Sequence, residues 1–488
     1  MSRVTVNPMV TLLLCYAPAI AQPLCLGSPN VLHSHGCIIL PMLKRIPRRI
    51  QIAAAAVAAV ILIYFIPPVH DRLAWRIVDA RLQVRNFFNP PAEALFLPTQ
   101  QAAIDAIVKA TMEAHATAEA VTPTPRVTGT RPGPTARPTT TSTPLPRTVT
   151  LPGVKYVDQR ERWNYCAPAN LTMALNFWGW KGDRDAVAKV VKPGENDPSM
   201  SFIDRGRSDR NVMPYELEAF VNDETEFRAL WRYGGDIEVV KALVAAGFPP
   251  IAEKGYYEPD FRGKVGWLGH YQFVTGYDDA RGEVIVQDTW NDGPNFRISY
   301  DTFTEGWRSF NNLFLVVYPA DRETEVLEVL GPYADPRWAA QQALDRANED
   351  VTALKGIDLF FAWFAKGTSH VALQQYVDAA TAYDQAFTIY NALDSDDTER
   401  PYRMMWYQTG PYWAYFYSGR YFDVVTLADT TLNDTGSTPT LEESLYWRGL
   451  AKYALGNVAG GIEDVRRSVY YNMNFAAGLA KLQEWGVR

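Results

Sequence analysis

Apolar and polar residues alternate in different ways along the chain, and these changes divide it into segments. Residues 52–66 form an unbroken apolar run, IAAAAVAAVILIYFI, and four basic residues lie between positions 44 and 49. A membrane-spanning helix needs about 17–25 apolar residues, and the range 50–69 reaches the short end of that length. Because basic residues concentrate on the cytoplasmic side, we predict a single-pass transmembrane signal anchor at 50–69, with the C-terminal bulk extracytoplasmic. A buried core helix is the alternative interpretation.

The segments on either side of this run have patterns of their own. Residues 1–49 are either a cytoplasmic or a mis-started segment: MVTLLLCYAPAIAQ resembles a weak secretory signal, and Met42 is an alternative start. Helical spacing in residues 70–118 predicts a juxtamembrane stalk. Residues 119–152 are rich in Pro and Thr and have too few large apolar residues to bury a core, so we predict a disordered linker.

Residues 153–320 have the pattern of a folded domain. Helical spacing occurs in NLTMALNFWGW and in DIEVVKALVAAG, which ends at Gly247. Alternating or continuous apolar residues predict strands in FPPIAEKG, HYQFVTGYDD, EVIVQDTW and NLFLVVYP. Helices come first and strands mostly follow, which is typical of an α+β domain.

Residues 335–488 are helical in pattern throughout. The segment ESLYWRGLAKYALGNVAGGIEDVRRSVYYNMN resembles a tetratricopeptide repeat, with small residues such as Gly449 and Gly461 at close-packing positions. A second segment around Gly367 and Tyr383 resembles another repeat. The resemblance implies an all-α repeat domain whose concave face could bind a protein partner. An unrelated helical bundle is the alternative.

Composition and charge exclude several classes of function. The chain of 488 residues is 47% hydrophobic, 21% charged and 13% aromatic, with a net charge of −7, and no basic stripe indicates nucleic-acid binding. Of four cysteines only Cys166 lies in the folded part, and of six histidines only His270 and His370 follow residue 150. We therefore predict no disulfide in that part, no metal site and no cofactor.

Cys166 has the sequence context of a nucleophile. A helical pattern begins directly after it, and Pro168 suits the first turn of a helix. A sulfur at a helix N-terminus is stabilised as thiolate, which is the reactive form. Gln159, seven residues earlier, could donate its amide to an oxyanion, together with the backbone N–H of Cys166. A buried, inert thiol and a surface Gln159 are the structural alternatives.

His270 is the candidate base. It is predicted at the start of a strand, and the next strand ends in Gln287-Asp288. An antiparallel hairpin would return Asp288 to the side of His270, where a carboxylate can fix the imidazole tautomer. Asp278 or Asp279 would be the fallback, although both fall at the hairpin turn. His370 is the other histidine, but it lies in the helical segment.

These motifs resemble a known enzyme family. A Cys at a helix start with Pro two residues on, then GHYQFVTGYDD and VQD, are similar to the papain-like bacteriocin-processing, double-glycine type of cysteine peptidase. The resemblance covers about residues 153–319 and implies a Cys-His-Asp triad with an upstream Gln, which fall on Cys166, His270, Asp288 and Gln159. The family usually has Gly where this chain has Ala167, and its Gln lies one residue closer to the nucleophile.

The resemblance implies a thiol peptidase acting on a peptide or protein substrate. Together with the predicted signal anchor, it gives a membrane-anchored extracytoplasmic enzyme. The alternative from another class is a catalytically inactive papain-like binding or scaffold protein of the cell envelope. A transglutaminase-like or amidase reaction on the same triad is a third possibility.

Overall fold

The computed structural model describes residues 48–64, 69, 96–98 and 144–487, apart from 163, 208, 260–264, 291, 394–399, 402 and 434–440. The predictions for residues 1–47, for most of the stalk and for most of the linker lie outside these residues. The chain forms two units, residues 1–66 and residues 67–488.

The first unit contains helix α1, Arg48–Tyr64, whose 17 residues include the apolar run. Its apolar side chains are exposed, for example Ile52 at 62% and Leu62 at 71%. Within the described part of the chain, no helix combines the length and the apolar character needed to cross a membrane.

The second unit begins with an α+β domain. Its strands are β1 Thr148–Thr150, β2 Phe227–Arg232, β3 Pro250–Pro259, β4 Val265–Asp278, β5 Glu283–Gln287, β6 Phe296–Ser299 and β7 Phe314–Pro319. Its helices are α2 Cys166–Phe177, α3 Arg184–Val191, α4 Phe202–Arg205, α5 Pro214–Glu224, α6 Ile237–Ala245, α7 Tyr300–Arg308 and α8 Glu323–Leu330.

One antiparallel sheet organises this domain. Its strand order is β2-β7-β3-β4-β5-β6, and β1 pairs with the end of β4. Strand β1 lies in the range predicted as linker, so the last residues of that range join the sheet. The four predicted strands are β3, β4, β5 and β7, while the short strands β2 and β6 were not predicted.

Both faces of the sheet are covered, because successive residues of a strand point to opposite sides. Ile251 and Phe273 pack with α2, α3 and α5 on one face. Ala252 and Val274, each the next residue along, pack with α6, α7 and α8 on the other. One antiparallel sheet with helices on both faces is the predicted papain-like α+β fold.

The C-terminal region is all-α, as predicted. Its helices are α9 Pro336–Ala353, α10 Gly356–Ala372, α11 Tyr376–Ala392, α12 Met404–Tyr407, α13 Gly410–Tyr417, α14 Tyr421–Asn433, α15 Glu442–Ala454, α16 Val458–Tyr471 and α17 Ala476–Glu484. A Cβ on Gly449 would lie 2.8 Å from the Gly461 carbonyl oxygen, so small residues allow α15 and α16 to approach closely. The assignment to tetratricopeptide repeats stays a prediction.

The helical region packs directly on the sheet domain. Trp267 of β4 is 1% exposed, stacks on Phe310 at 5.6 Å between ring centroids, and contacts Tyr407 at 5.8 Å. Phe96, from the range predicted as stalk, is buried in the helical core against Phe387. The two folded parts therefore share a continuous apolar contact.

Candidate active site

Cys166 is the first residue of α2 and carries a half-buried free thiol. Pro168 lies in the first turn, as predicted, where its missing N–H costs no hydrogen bond. No side chain caps this helix, so its first N–H groups remain available to stabilise negative charge. Asn170 donates to the carbonyl oxygens of Cys166 and Tyr271, at 2.8 Å each, and so joins α2 to β4.

His270 lies inside β4, five residues after its first residue, Val265. The prediction that His270 begins the strand is therefore wrong, because pairing with β3 continues on its N-terminal side. Its side chain is buried, and Nε2 lies 3.1 Å from Oδ2 of Asp288. The imidazole also interacts with Cys166, and this interaction lowers the pKa of the thiol.

The β4–β5 hairpin brings Asp288 to His270 as predicted. Val274 pairs with Val286 and Phe273 with Gln287, so Asp288 follows beside the His270 end of β4. Asp288 is buried, and its Oδ2 also accepts from Nε2 of Gln272 at 2.7 Å. The fallback carboxylates lie at the hairpin turn, where each pairs with a basic residue.

The charges of the three groups support one another. Burial raises the pKa of the Cys166 thiol, but the hydrogen bond and positive charge of His270, with backbone hydrogen bonds from Tyr271 and Ala167, lower it overall. Burial lowers the pKa of His270, whereas Asp288 and Cys166 raise it to about 10. Burial opposes the charge of Asp288 as well, yet His270 and Gln272 hold its pKa well below its usual range. The arrangement therefore favours a thiolate–imidazolium pair at neutral pH.

A fourth ionisable group of the site, the carboxyl of Glu253, adds no charge. Glu253 of β3 is 2% exposed and pairs in register with Tyr271 of β4. Burial raises its pKa well above the usual range, and the negative charge of Cys166 raises it further. Glu253 is therefore a neutral acid and does not oppose the thiolate.

Gln159 is held by two hydrogen bonds to Thr289, the residue that follows Asp288. Its backbone N–H donates to the Thr289 carbonyl at 2.9 Å, and its side-chain Oε1 accepts from the Thr289 hydroxyl at 2.8 Å. Because the amide oxygen of Gln159 accepts from Thr289, the N–H groups on Nε2 are the part of the side chain left to bind a ligand. Donation to an oxyanion stays a prediction.

Residues 152–314 match the model of the Peptidase_C39 like family. This range coincides with the α+β domain and contains all four candidate residues. A search of curated proteins finds no match to the chain.

Three solved structures are similar to the same part of the chain. A C39-like peptidase from Bacillus anthracis is 18% identical and covers 35% of this chain and 96% of its own, with a TM-score of 0.29. The peptidase domain of Streptococcus ComA, a bifunctional ABC transporter, is 16% identical and covers 34% and 99%, with a TM-score of 0.25. Xylellain, a cysteine protease from Xylella fastidiosa, is 16% identical and covers 36% and 87%, with a TM-score of 0.25.

Ala167, which stands where the family usually has Gly, lies in the core of this C39-like domain. Ala167 is 1% exposed, and it packs with Leu171 and Tyr271 in the core between α2 and the sheet. Its methyl group is therefore accommodated in the core.

Sequence reasoning missed two residues that hold Asp288. Gln272 lies two positions after His270, so strand alternation places both on one face, and this spacing could have identified it. Tyr156 donates its hydroxyl to the Asp288 carbonyl at 2.7 Å, a contact for which the sequence holds no signal. His370 lies on α10, where Nδ1 contacts Gln375 at 2.7 Å.

Proposed function

We propose that the C39-like domain is a thiol peptidase in which Cys166 is the nucleophile, His270 the general base and acid, and Asp288 the orienting carboxylate. The observation that carries this proposal is the position of His270, whose Nε2 lies 3.1 Å from Oδ2 of Asp288 and whose imidazole lowers the pKa of the Cys166 thiol. The sulfur lies at a helix N-terminus, and both the helix and the imidazolium favour its thiolate form.

The geometry supports acyl transfer in two stages. The thiolate attacks the peptide carbonyl carbon and forms a C–S bond, and the carbonyl oxygen takes the negative charge. The Cys166 backbone N–H and the Nε2 of Gln159 are the proposed donors to that oxygen. The C–N bond then breaks as the His270 imidazolium gives its proton to the leaving amine. Water, deprotonated by His270, next cleaves the thioester and regenerates the thiolate.

The first experiment compares the full chain with Cys166→Ala on a synthetic peptide library, with products read by mass spectrometry. We expect the substitution to lower kcat/KM by at least about 10³-fold, because it removes the covalent intermediate. An unchanged melting temperature would show that the half-buried position tolerates Ala. Equal cleavage by both proteins would contradict the proposed nucleophile.

The alternative function, an inactive binding or scaffold domain, predicts a different reactivity. An inactive site needs no activated sulfur, and its thiol would react with iodoacetamide no faster than free cysteine at pH 7. The proposed ion pair predicts faster alkylation at Cys166, because the thiolate fraction is larger. Site-resolved mass spectrometry is required, since Cys15, Cys25 and Cys37 are also present in the chain.

We also propose that this domain works outside the cytoplasmic membrane, with the helical region binding a protein partner. The support is the sequence pattern alone: basic residues precede the apolar run, and few follow it directly. Protease accessibility of residues 153–488 in intact cells would test this placement, and protection of both folded parts in intact cells would contradict it.

A further inference from the structure

A buried lysine lies directly beside the proposed base. Lys254 of β3 pairs in register with His270 of β4 and is 7% exposed. Among the described residues, none supplies a hydrogen bond or an ion pair to its Nζ, and its ring contact is with Phe303, 5.8 Å from the centroid. A desolvated ammonium without a counter-ion costs several kcal/mol. Such a group is expected where a ligand supplies the missing charge.

The fold makes room for this lysine at one glycine. A Cβ on Gly306 of α7 would lie 2.7 Å from Cε of Lys254 and 2.6 Å from the Gly255 carbonyl oxygen. The absence of a side chain at position 306 therefore lets the lysine extend between β3 and α7.

Lys254 lines a cavity of about 470 Å³ that also includes His270, Asp288 and Trp290. The cavity has two other described cations, and both have acidic partners: His270 pairs with Asp288, and Arg297 with Glu283 at 3.2 Å. Among the described residues that line the cavity, Lys254 is thus the buried cation with no acidic partner at ion-pair distance.

The acidic groups of the cavity do not neutralise this lysine directly. Glu258 accepts from the Trp290 indole N–H at 3.2 Å, and Asp292 is exposed to solvent. Burial lowers the pKa of Lys254, and the charges of Asp288, Asp292 and Glu305 raise it without forming an ion pair. Asp288 is already paired with His270, and a solvated carboxylate such as Asp292 is screened, so a buried anion would interact with Nζ more strongly.

The chemistry of cleavage determines which part of a substrate reaches this cavity. His270 protonates the leaving amine, so the residue after the cleaved bond lies on the His270 side of Cys166. His270 and Lys254 both line the cavity. A side chain or chain end on the leaving side would therefore approach the lysine.

We propose that this cavity is a carboxylate subsite for the leaving side of the substrate, with Lys254 as the counter-ion. The subsite deepens the proposed function and rests on it. The carboxylate belongs either to an acidic side chain or to the C-terminus of the peptide. Either source gives the ammonium its missing partner in a charge-assisted hydrogen bond.

The test uses the full chain and a cleaved library peptide remade with Glu, Gln or Lys after the cut bond. A second pair ends at that residue as free acid or amide and identifies the source of the carboxylate. We expect kcat/KM for Glu over Gln, or for acid over amide, to be at least about 10-fold. Lys254→Met should bring that ratio close to one, whereas Lys181→Met, at an exposed lysine, should leave it unchanged.

Equal rates for all peptides, a preference for Lys, or a ratio unaffected by Lys254→Met would overturn the subsite. If Lys254→Met does not fold, the kcat/KM ratios of the wild type, Glu over Gln and acid over amide, decide whether the subsite exists. Anisotropy of labelled Glu and Gln peptides on Cys166→Ala measures the same preference in binding. If the wild type cleaves nothing, the peptidase proposal fails, while equal binding of those peptides rejects the carboxylate subsite separately.

Discussion

Replacing Asp288 by Asn tests whether the site needs a carboxylate or only an oxygen near His270. Oδ2 of Asp288 faces donors on His270 and Gln272, and Oδ1 accepts from the Trp290 backbone N–H at 2.8 Å. In the Asn variant, the amide nitrogen replaces one of these two oxygens. In either position its N–H group would face another donor. Asp288→Asn therefore removes the charge and also leaves at least one buried donor without an acceptor.

The size of the effect follows from the charge on His270. Its pKa is raised from 6.5 to about 10 against the opposing effect of burial, and a rise of about 3.5 corresponds to about 5 kcal/mol. Both Asp288 and Cys166 contribute. Assigning half to Asp288 gives roughly 2–3 kcal/mol, which shifts the proton equilibrium on the order of 50-fold towards neutral thiol and neutral imidazole.

The assay is the rate of iodoacetamide alkylation of Cys166 between pH 6 and 8, followed on the peptide that contains it. We expect Asp288→Asn to react on the order of 50-fold more slowly than the wild type near pH 7. Asp288→Ala is the matched control, since it removes the charge without adding a donor, and it should react at least as fast as the Asn variant. A reduction below about threefold in both variants would refute the role of the carboxylate.

Two further predictions concern the stability of the second unit. Arg420 is buried with Asp384 and Asp423, each 2.7 Å away. Arg420→Met should therefore cost about 3–5 kcal/mol in chemical denaturation, because two buried carboxylates lose the cation that neutralises their charge. Lys481→Met is the comparison, because it removes an exposed ion pair and should cost under about 1 kcal/mol of stability. Equal losses of stability in the two variants would contradict this reasoning. Burial raises the pKa of Glu443 to about 7, so its neutral form stabilises the fold below about pH 4.5, and this is lost as pH rises towards 7. Glu443→Gln should therefore gain stability relative to the wild type between pH 5 and 7.5, and a constant difference in unfolding free energy would contradict the assignment.

The sequence predicted the elements that carry the site because their signals are local. The helix start at Cys166 and Pro168 depends on a few neighbouring residues. The hairpin from β4 to β5 depends on two apolar runs with a short turn between them, and it brings Asp288 to His270. Strands β2 and β6 were missed because their runs, at Phe227–Arg232 and Phe296–Ser299, are short and interrupted by charged residues.

The cavity behind His270 could not be predicted in the same way. Lys254 and His270 are brought opposite each other by the register between β3 and β4. A shift by one residue would turn Lys254 to the other face of the sheet relative to His270. The room for its side chain comes from Gly306, on a helix far along the chain.

The sequence by itself determined the α+β and all-α classes of the folded parts, and it indicated the residue types of the proposed triad. These follow from periodicity, turn residues and the scarcity of Cys and His, which are properties of short stretches. Only the tertiary structure decided that Gln272 supports Asp288 and that Lys254 is buried with no ion-pair partner among the described residues. Burial and ion pairing depend on groups supplied by distant segments, and the free energy of a charge is set by those surroundings.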